Sequence, residues 1–379
     1  MGMFSAKWRL LKKELKGAMK SASKLADLSE NERRMVADIR MATSQANLNN
    51  VTRTQAYFAF FKKNPEIHWA LLAHLVSRNA GWNMTDLKGE YLPKLLTSKE
   101  QTDFFIFLER GNWLIFQDAY PQLLLYEKSR QCGRPLFQLL DALNISKFMR
   151  PFWERFWVNG ESEELTEALI INEQHYIERR VVHNHQYMET VMDKILFKFQ
   201  DSLNFNHILF PYNTSAQQKT KIIGGTVHHF SAVDERVFLG RSLYELLFSV
   251  NSRLEEIIQW ASEHPHSGSR KDFWPQLFND IDETAPGRVH EMAESPCKRQ
   301  HKGPKVYSPP LTLAWEDWSH KEAEPGDWFK HVGVLHLMKR KVNQLSGDIE
   351  PIYCKTIEEV EMATTAKHTF SRHEKSAPD

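Results

Sequence analysis

The sequence predicts a mainly α-helical fold, an irregular multi-helix globular domain with little or no sheet. Apolar residues recur at the three- and four-residue steps of amphipathic helices over most of the chain. The 379 residues are 41% hydrophobic and include 23 Phe, 11 Trp and 10 Tyr, which supply enough large apolar side chains for a buried core. This composition excludes wholesale disorder. We find no repeat with a period of about 20 to 50 residues, so a helical repeat array is not expected.

Residues 1–40 are predicted to form a basic amphipathic arm. Seven basic residues against the acidic Glu14 give residues 1–25 a net charge of +6, so the rest of the chain carries −5. Apolar side chains recur at helical spacing on the other face, namely Phe4, Trp8, Leu11, Leu15 and Met19. Such a helix can dock on its own domain, on a protein partner or on an anionic membrane surface, and basic helices can also lie on nucleic acid. Nucleic acid is not expected as a partner, because no basic patch interleaves the tryptophans farther along the chain.

A helical core domain is predicted over residues 41–360. Its clearest helix starts at the Asn-Pro-Glu sequence of residues 64–66, where a capping residue and a first-turn proline precede an apolar face. We predict that this helix runs from Pro65 to Arg78. The Asn-Ala-Gly sequence at 79–81 is expected to end it, so residues 82–89 are predicted as a polar loop.

Later segments are predicted from their composition. A helix is expected to open at Ser98 and to break near Gly111, with more helix beyond it. Residues 165–203 contain no Pro or Gly and are predicted to form a long central helix. A hairpin-like element is possible at 221–230, where Ile, Val and Gly cluster. A soft loop region near 262–310 and a disordered tail at 361–379 complete the prediction.

The expected location is cytoplasmic, peripheral to the membrane if the arm binds lipid. The longest apolar stretches fall far short of the roughly 20 residues that a membrane-spanning helix needs, and no signal peptide is visible. Cys132, Cys297 and Cys354 are widely spaced and odd in number, which suits neither a disulfide framework nor a metal knuckle. We therefore predict a protein that does not span a membrane and resides in a reducing compartment.

Several stretches carry a resemblance to a known family. Residues 50–57 and 65–89 resemble the opening of the YppC-like family, which comprises uncharacterised proteins of Bacillus-type bacteria. The resemblance covers most of residues 45–355, including the segments Leu209–Tyr212 and Val237–Tyr244. The family is a domain of unknown function. The resemblance therefore implies no activity, cofactor or catalytic residue.

The first candidate site is a polar group at the end of the predicted 65–78 helix. Its members are His68, Arg78, Asn79, Asn83, Asp86 and Lys88. A helix end followed by a polar loop gathers side chains for an anionic or polar ligand, and Arg78 or Lys88 would supply the charge. His68 and His74 lie about 120° apart on a helix, so they do not form a metal pair. The alternative is a structural network that fixes the loop, for example through Asp86 and Arg78.

The second candidate site is a metal-binding face on the predicted central helix. Glu178, His185 and Glu189 are spaced by seven and four residues, which places them within about 40° of one another on a continuous helix. Carboxylates and imidazoles on facing helices bind iron or manganese in helical bundles. Those proteins carry two Glu-x-x-His motifs, and this chain has no clean second copy. The alternative is an ordinary charged surface.

Two classes of function are compatible with these patterns. The first is a non-enzymatic binding or scaffold protein that touches a membrane or protein partner through residues 1–25, because no complete catalytic grouping is visible. The second is a small-molecule enzyme of helical fold, with a pocket at the His68–Lys88 segment and with or without a metal. The sequence does not indicate a particular cofactor.

Overall fold

The computed structural model describes residues 2–21, 28–187, 189, 206–214, 220–227, 229–249, 252–283, 305–342 and 345–375. Its helices are α1 (Gly2–Lys20), α2 (Glu30–Ala46), α3 (Asn50–Lys63), α4 (His68–Asp86), α5 (Leu92–Leu95), α6 (Ser98–Cys132), α7 (Met149–Asn159), α8 (Ser162–Ile177), α9 (His185–Tyr187), α10 (Val233–Phe248), α11 (Leu254–Glu263), α12 (Leu311–Ala314), α13 (His336–Lys339) and α14 (Glu350–Lys375). Its strands are β1 (His207–Tyr212), β2 (Lys221–Thr226), β3 (Phe278–Asn279), β4 (Val306–Tyr307) and β5 (Gly347–Asp348). This confirms the predicted mainly helical fold.

Helices α2, α3 and α6 begin at capping boxes. Ser29, Asn49 and Thr97 each accept a hydrogen bond from the backbone amide three residues later, and that later side chain bonds back to the cap. The predicted start at Ser98 is therefore confirmed. The predicted break near Gly111 is wrong, because α6 continues through Gly111 and Pro121 to Cys132. Packing on both sides of α6 overrides the weak helix propensity of these two residues.

Helix α4 is the centre of the core and packs against α3, α6, α8 and β1. The prediction that residues 79–81 end this helix is wrong, because α4 continues to Asp86. Gly81 instead allows other parts of the chain to pack closely against α4. A Cβ atom there would stand 2.3 Å from Asn50 Oδ1 and from His266 Nε2, so only glycine lets these neighbours approach. The Asn79 side chain accepts from the Leu209 amide and donates to its carbonyl, which fixes β1 on α4.

The predicted central helix over residues 165–203 is shorter in the structure. Helix α8 ends at Ile177, a π-helical turn follows at Glu178–Val182, and the chain then bends before the short α9. Residues 188 and 190–205 lie outside the described residues. A π turn shifts the register of every later side chain relative to an α-helix. The spacing argument for a shared face beyond Glu178 therefore does not hold.

Two small sheets accompany the helices. β1 and β2 pair antiparallel, β5 pairs antiparallel with β2, and β3 pairs parallel with β4. The hairpin-like element predicted at 221–230 corresponds to β2, whose partner β1 precedes it in the chain. Gly224 lies in the middle of β2, where a Cβ atom would overlap the Ile208 carbonyl oxygen at 1.8 Å. This glycine permits close backbone approach.

The N-terminal helix α1 packs on the same core as the rest of the chain. Leu11 and Leu15 are 1% and 0% exposed, and α1 contacts α7. Lys7 forms ion pairs with Glu161 and Glu164 at 2.6 and 2.7 Å. Within the described residues, no helix is long and apolar enough to cross a membrane.

Helix α14 occupies much of the predicted C-terminal tail. The helix extends through residues 361–375, and Tyr353 and Ile357 in its first half are buried. Their apolar faces pack on the domain, which stabilises a helix beyond what composition alone indicates. Cys354 on this helix is disulfide-bonded, so the expectation that the cysteines form no disulfide is wrong at this position. Cys132 is an exposed free thiol.

Candidate functional site

The residues at the two ends of the first candidate site are far along α4 from each other and have separate neighbours. His68 Nδ1 lies 3.1 Å from the Tyr244 hydroxyl, and its ring stacks on Phe248. Burial lowers the pKa of His68 to about 4, so its ring is neutral at pH 7. The Lys88 ammonium lies 4.5 Å from the centroid of the Trp315 ring. These contacts involve different elements of the fold, α10 for His68 and Trp315, directly after α12, for Lys88.

Arg78 is 1% exposed and lies between the chain that follows α11 and the core. Its Nη1 donates to the His264 carbonyl at 2.7 Å, and its Nη2 lies 3.8 Å from Asp272 Oδ2. The guanidinium also lies over the Trp260 ring at 4.5 Å. Burial lowers the pKa of Arg78 to about 10, and the charge of Asp272 opposes that shift. Arg78 remains a cation that fastens the segment after α11.

Asp86 and Asn83 bind Arg270 rather than Arg78. Arg270 Nε lies 2.9 and 2.8 Å from the two Asp86 carboxylate oxygens, and its Nη2 donates to Asn83 Oδ1 at 3.0 Å. Arg270 also donates to the Tyr353 hydroxyl at 2.9 Å. The cavity beside this cluster has a volume of only about 30 Å³. The suggested Asp86–Arg78 pair is replaced by two separate pairs, and the six predicted side chains do not converge on one pocket.

The structure also separates the members of the second candidate site. Glu178 pairs with Arg236 of α10 and lies 3.0 Å from His183 Nε2. His185 and Glu189 form their own pair at 3.5 Å, with side chains 89% and 65% exposed. Among the described residues, no group of three or more His, Cys, Asp or Glu side chains could hold a metal ion. The π turn accounts for the separation.

A site that sequence reasoning missed lies between α6 and α8. Asp118 of α6 is 2% exposed, and its Oδ2 accepts from Asn172 Nδ2 at 2.5 Å and from Gln122 Nε2 at 3.1 Å. Within the described part of the chain, its Oδ1 has no hydrogen-bond partner. Gln122 in turn accepts from the Trp153 indole at 2.8 Å. Asp118 is thus a buried carboxyl held by neutral amides with no cation bonded to it.

Asp118 borders a cavity of about 390 Å³. Residues 315–330 form a segment without helix or strand that we call the strap, and residues 322–328 of the strap form one wall of the cavity. The other walls come from α6, from the turns before α7, and from α8 with its π turn. The ionisable residues that line the cavity are Asp118, Asp141, Lys147, Tyr176, Arg180, Glu322, Glu324 and Asp327. A cavity of this size with a few converging polar groups is typical of a small-molecule site.

The strap is fastened by side chains from the helices. Trp328 donates its indole hydrogen to Asn172 Oδ1 at 2.8 Å, which links the strap to the same amide that binds Asp118. Asp327 accepts from Ser146 Oγ at 2.6 Å and from the Lys147 amide at 3.0 Å. These bonds attach the strap to α8 and to the turn before α7.

The cations at the cavity are already bonded to backbone carbonyls. Arg180, in the π turn, donates to the carbonyls of Glu324 and Gly326, both at 2.8 Å, and its guanidinium lies over the Tyr176 ring at 4.1 Å. Lys147 donates to the Ser21 carbonyl at 2.5 Å. Arg180 and Lys147 therefore build the wall and do not neutralise Asp118 by direct contact.

Burial dominates the ionisation of the acids in this region. Desolvation raises the pKa of Asp118 to about 7, and the charge of Asp327 adds to that rise. Desolvation also raises the pKa of Asp141, again with a contribution from Asp327. Glu173, one residue beyond Asn172, is bonded to the Trp69 indole, and desolvation raises its pKa to about 8. Asp118 can therefore hold or release a proton near neutral pH.

A second buried cluster lies on another face of α6. Arg53 of α3 contacts Glu109 at 2.5 Å, and both side chains are at most 2% exposed. Arg53 also donates to Asn47 Oδ1 at 3.1 Å, and His320 of the strap lies 3.5 Å from Glu109. Mainly because of Arg53, the pKa of Glu109 lies below its usual value despite the burial, which by itself would raise it. This cluster is neutralised internally.

The fold and the site together define the class of protein, a mainly helical domain with a buried carboxyl group beside a cavity that is partly open to solvent. Residues 45–344 match the family model described as "Protein of unknown function (DUF2515)", so the chain belongs to this family. It is 38% identical over 290 residues to "Uncharacterized protein YppC" of Bacillus subtilis (strain 168), which covers 72% of this chain and 89% of that protein. This confirms the resemblance to the YppC-like family. No solved structure matches the chain.

Proposed function

We propose that this protein binds a polar small molecule in the cavity beside Asp118, and that Asp118 is the ionisable group of the site. The observation that carries the proposal is the Oδ1 atom of Asp118, which is buried and has no hydrogen-bond partner among the described residues. A buried polar atom without a partner costs about 1 to 3 kcal/mol, so a fold retains one where something else compensates. A ligand that donates a hydrogen bond is such a compensation.

The position of the cavity supports the same proposal. Its wall residues lie within residues 45–344, the part of the chain that matches the family model. The pKa of Asp118 near neutrality also suits proton transfer to or from a bound molecule. This is the small-molecule enzyme hypothesis, with the pocket at Asp118 in place of the His68–Lys88 segment.

A ligand screen with matched variants tests this function. Thermal unfolding of the full chain is followed against a library of polar metabolites, using the wild type, Asp118→Asn and Asp103→Asn. Asp103 is an acid near the start of the same helix, paired at the surface with Lys99, and serves as the control. We expect some compounds to raise the Tm of the wild type and of Asp103→Asn but not of Asp118→Asn. The proposal fails if no compound raises the Tm of the wild type, or if the same compounds raise the Tm of Asp118→Asn equally.

A second candidate function is supported by the outer face of α1. Arg9, Lys12, Lys13, Lys16 and Lys20 are exposed, while the apolar face of the helix is packed on the core. Exposed basic residues next to an anionic membrane contribute about 1 kcal/mol each. Because the apolar face is occupied, such binding would be electrostatic and would weaken with salt. This keeps the hypothesis of a binding or scaffold protein that acts through residues 1–25.

Vesicle sedimentation tests the second candidate. The full chain is mixed with vesicles of phosphatidylcholine alone or with about one third phosphatidylserine, at low and high salt. We expect binding only to the anionic vesicles at low salt, and loss of that binding in Lys12→Glu/Lys13→Glu/Lys16→Glu. Equal binding by this triple variant would refute a membrane role for the arm and leave a protein partner as the use of this face.

A further inference from the structure

We propose that the ligand of the Asp118 cavity is an organic ammonium ion, such as a protonated primary amine. This inference rests on the proposed ligand site and names its chemical class. Five of the residues that line the cavity are acidic and two are basic, Lys147 and Arg180. Of the five acids, Glu322 and Glu324 are exposed, whereas Asp118 is buried and Asp141 and Asp327 are half-buried. Both cations are bonded to backbone carbonyls. The cavity thus combines an excess of negative charge with little cationic hydrogen-bonding capacity left for an anion.

The acids of the cavity repel one another. The charge of Asp327 raises the pKa of both Asp118 and Asp141. Asp327 itself accepts hydrogen bonds from the Ser146 hydroxyl, from the Lys147 amide and from the Phe329 amide. A positive charge bound between these groups would relieve the repulsion and make the ionised form of Asp118 more favourable.

The hydrogen-bonding needs of the cavity point in the same direction. Asp118 Oδ1 requires a donor, and an ammonium group carries three of them and no acceptor. An anion or a pure acceptor would leave this oxygen without a partner and would face the excess of acids. The volume of about 390 Å³ exceeds what one water or a metal ion needs, so it favours an organic cation with a carbon skeleton.

The tryptophan of the strap adds an aromatic surface. Trp328 lines the cavity, and its ring stacks on His175 with centroids 4.6 Å apart. Ammonium ions are attracted to the faces of tryptophan rings, by about 0.5 to 2 kcal/mol. Tyr176 is less available, because the Arg180 guanidinium lies over its ring. One end of the ligand would therefore contact the acids, and its carbon chain would lie near Trp328.

Binding of an ammonium ion predicts a defined proton balance. The amine enters protonated, and Asp118 must give up its proton to pair with it. One bond is lost, that between the Asp118 carboxyl and its proton, and the proton leaves to the buffer. Near pH 6.5 binding should therefore release a fraction of one proton per ligand, whereas near pH 8.5 the release should be close to zero. Affinity should rise between these two values.

The test compares amines with neutral molecules of the same shape. Isothermal titration calorimetry at pH 8 uses 1,4-diaminobutane against 1,4-butanediol, and benzylamine against benzyl alcohol, with acetate, phosphate, Mg²⁺ and Ca²⁺ as further probes. The variants are the wild type, Asp118→Asn, Asp141→Asn and the control Asp103→Asn. We expect at least one amine to bind the wild type and the control, and to bind Asp118→Asn at least tenfold more weakly. The affinity of the wild type for this amine should exceed its affinity for the matching alcohol by a similar factor.

The outcomes separate this inference from the function on which it rests. If alcohols bind as well as amines, or if phosphate, acetate or a metal ion binds instead, and Asp118→Asn abolishes that binding, the ammonium class is wrong while the ligand site stands. If no probe of any class binds the wild type and the metabolite screen is also negative, both fail. If Asp118→Asn does not fold, the Asp141→Asn variant tests the ammonium class instead. It removes one acidic group from the same cavity and should weaken amine binding by several-fold.

Discussion

Helix α6 carries two buried acids that the fold treats in opposite ways. Glu109 and Asp118 are nine residues apart, each is 2% exposed, and on a helix they point in directions about 180° apart. Glu109 contacts the Arg53 guanidinium, and its pKa is lowered. Asp118 is bonded to the amides of Asn172 and Gln122, and its pKa is raised to about 7. The two carboxyl groups are equally buried, so the opposite shifts of their pKa values come from their different bonding partners.

The difference distinguishes a structural acid from a candidate functional one. A buried ion pair that is internally neutralised holds its elements together, and here it joins α3, α6 and the strap. A buried carboxyl with no cation bonded to it beside a cavity costs stability when it ionises, and groups perturbed in this way concentrate at functional sites. The comparison therefore directs attention to Asp118 rather than to Glu109.

The largest effect is expected from removing the cation of the neutralised pair. Arg53→Met leaves the buried Glu109 carboxylate without its guanidinium partner, and removing one partner of a buried ion pair typically costs about 3 to 5 kcal/mol. Urea unfolding at pH 7 should show this loss. Asp118→Asn, measured in parallel, should lose far less or gain stability. A loss below about 1 kcal/mol in Arg53→Met would show that Glu109 does not depend on this pair.

An intermediate effect is expected from the pH dependence of stability. Asp118 ionises near its usual pKa of 3.8 in the unfolded chain and at about 7 in the folded one. The folded state therefore binds more protons between these values, and its stability falls as the pH rises from 4 to 7. Asp118→Asn removes this penalty, which amounts to at most about 4 kcal/mol above pH 7. Urea unfolding of both proteins at pH 5 and pH 8 measures it.

Glu109 provides the opposite control for this pH experiment. Its folded pKa is lowered, so its contribution to stability is present above its unfolded pKa of 4.5 and is lost as the pH falls through the folded value. Glu109→Gln should destabilise the protein at pH 8 and much less at acidic pH. If Asp118→Asn and Glu109→Gln change stability with pH in the same direction, the contrast between the two acids is wrong.

The fold class was predictable because it depends on local signals. Caps at Ser29, Asn49 and Thr97 and the helical spacing of apolar residues are encoded within a few neighbouring positions. Residues 79–81 were wrongly predicted to end the helix. The glycine at position 81 is required by the close approach of Asn50 and His266, which are distant in the chain, and not by a helix end. Similarly, the break after Ile177 has no Pro or Gly to mark it. Tertiary contacts decide such positions.

The candidate site was beyond the reach of spacing arguments. Asp118 and Asn172 are 54 residues apart on different helices, and Trp328 comes from a segment with no periodic pattern. The sequence held two signals of the same kind. Asp118 is an acid within an apolar stretch of α6, and Asn172 and Glu173 interrupt an apolar stretch of α8. Polar residues on otherwise buried helix faces therefore indicated the site better than histidine spacing did.

The smallest effect is expected where the strap meets the site. Trp328→Phe keeps an aromatic ring against His175 but removes the hydrogen bond to Asn172, which should cost about 1 kcal/mol. Trp318→Phe is the matched control, because Trp318 lies on the same strap with 42% exposure. If the strap closes the cavity, Trp328→Phe should also speed hydrogen exchange in residues 315–330, whereas Trp318→Phe should not. Equal exchange in both variants would mean that the Trp328–Asn172 bond does not hold the strap, and that the hydrogen bonds of Asp327 and Arg180 hold it instead.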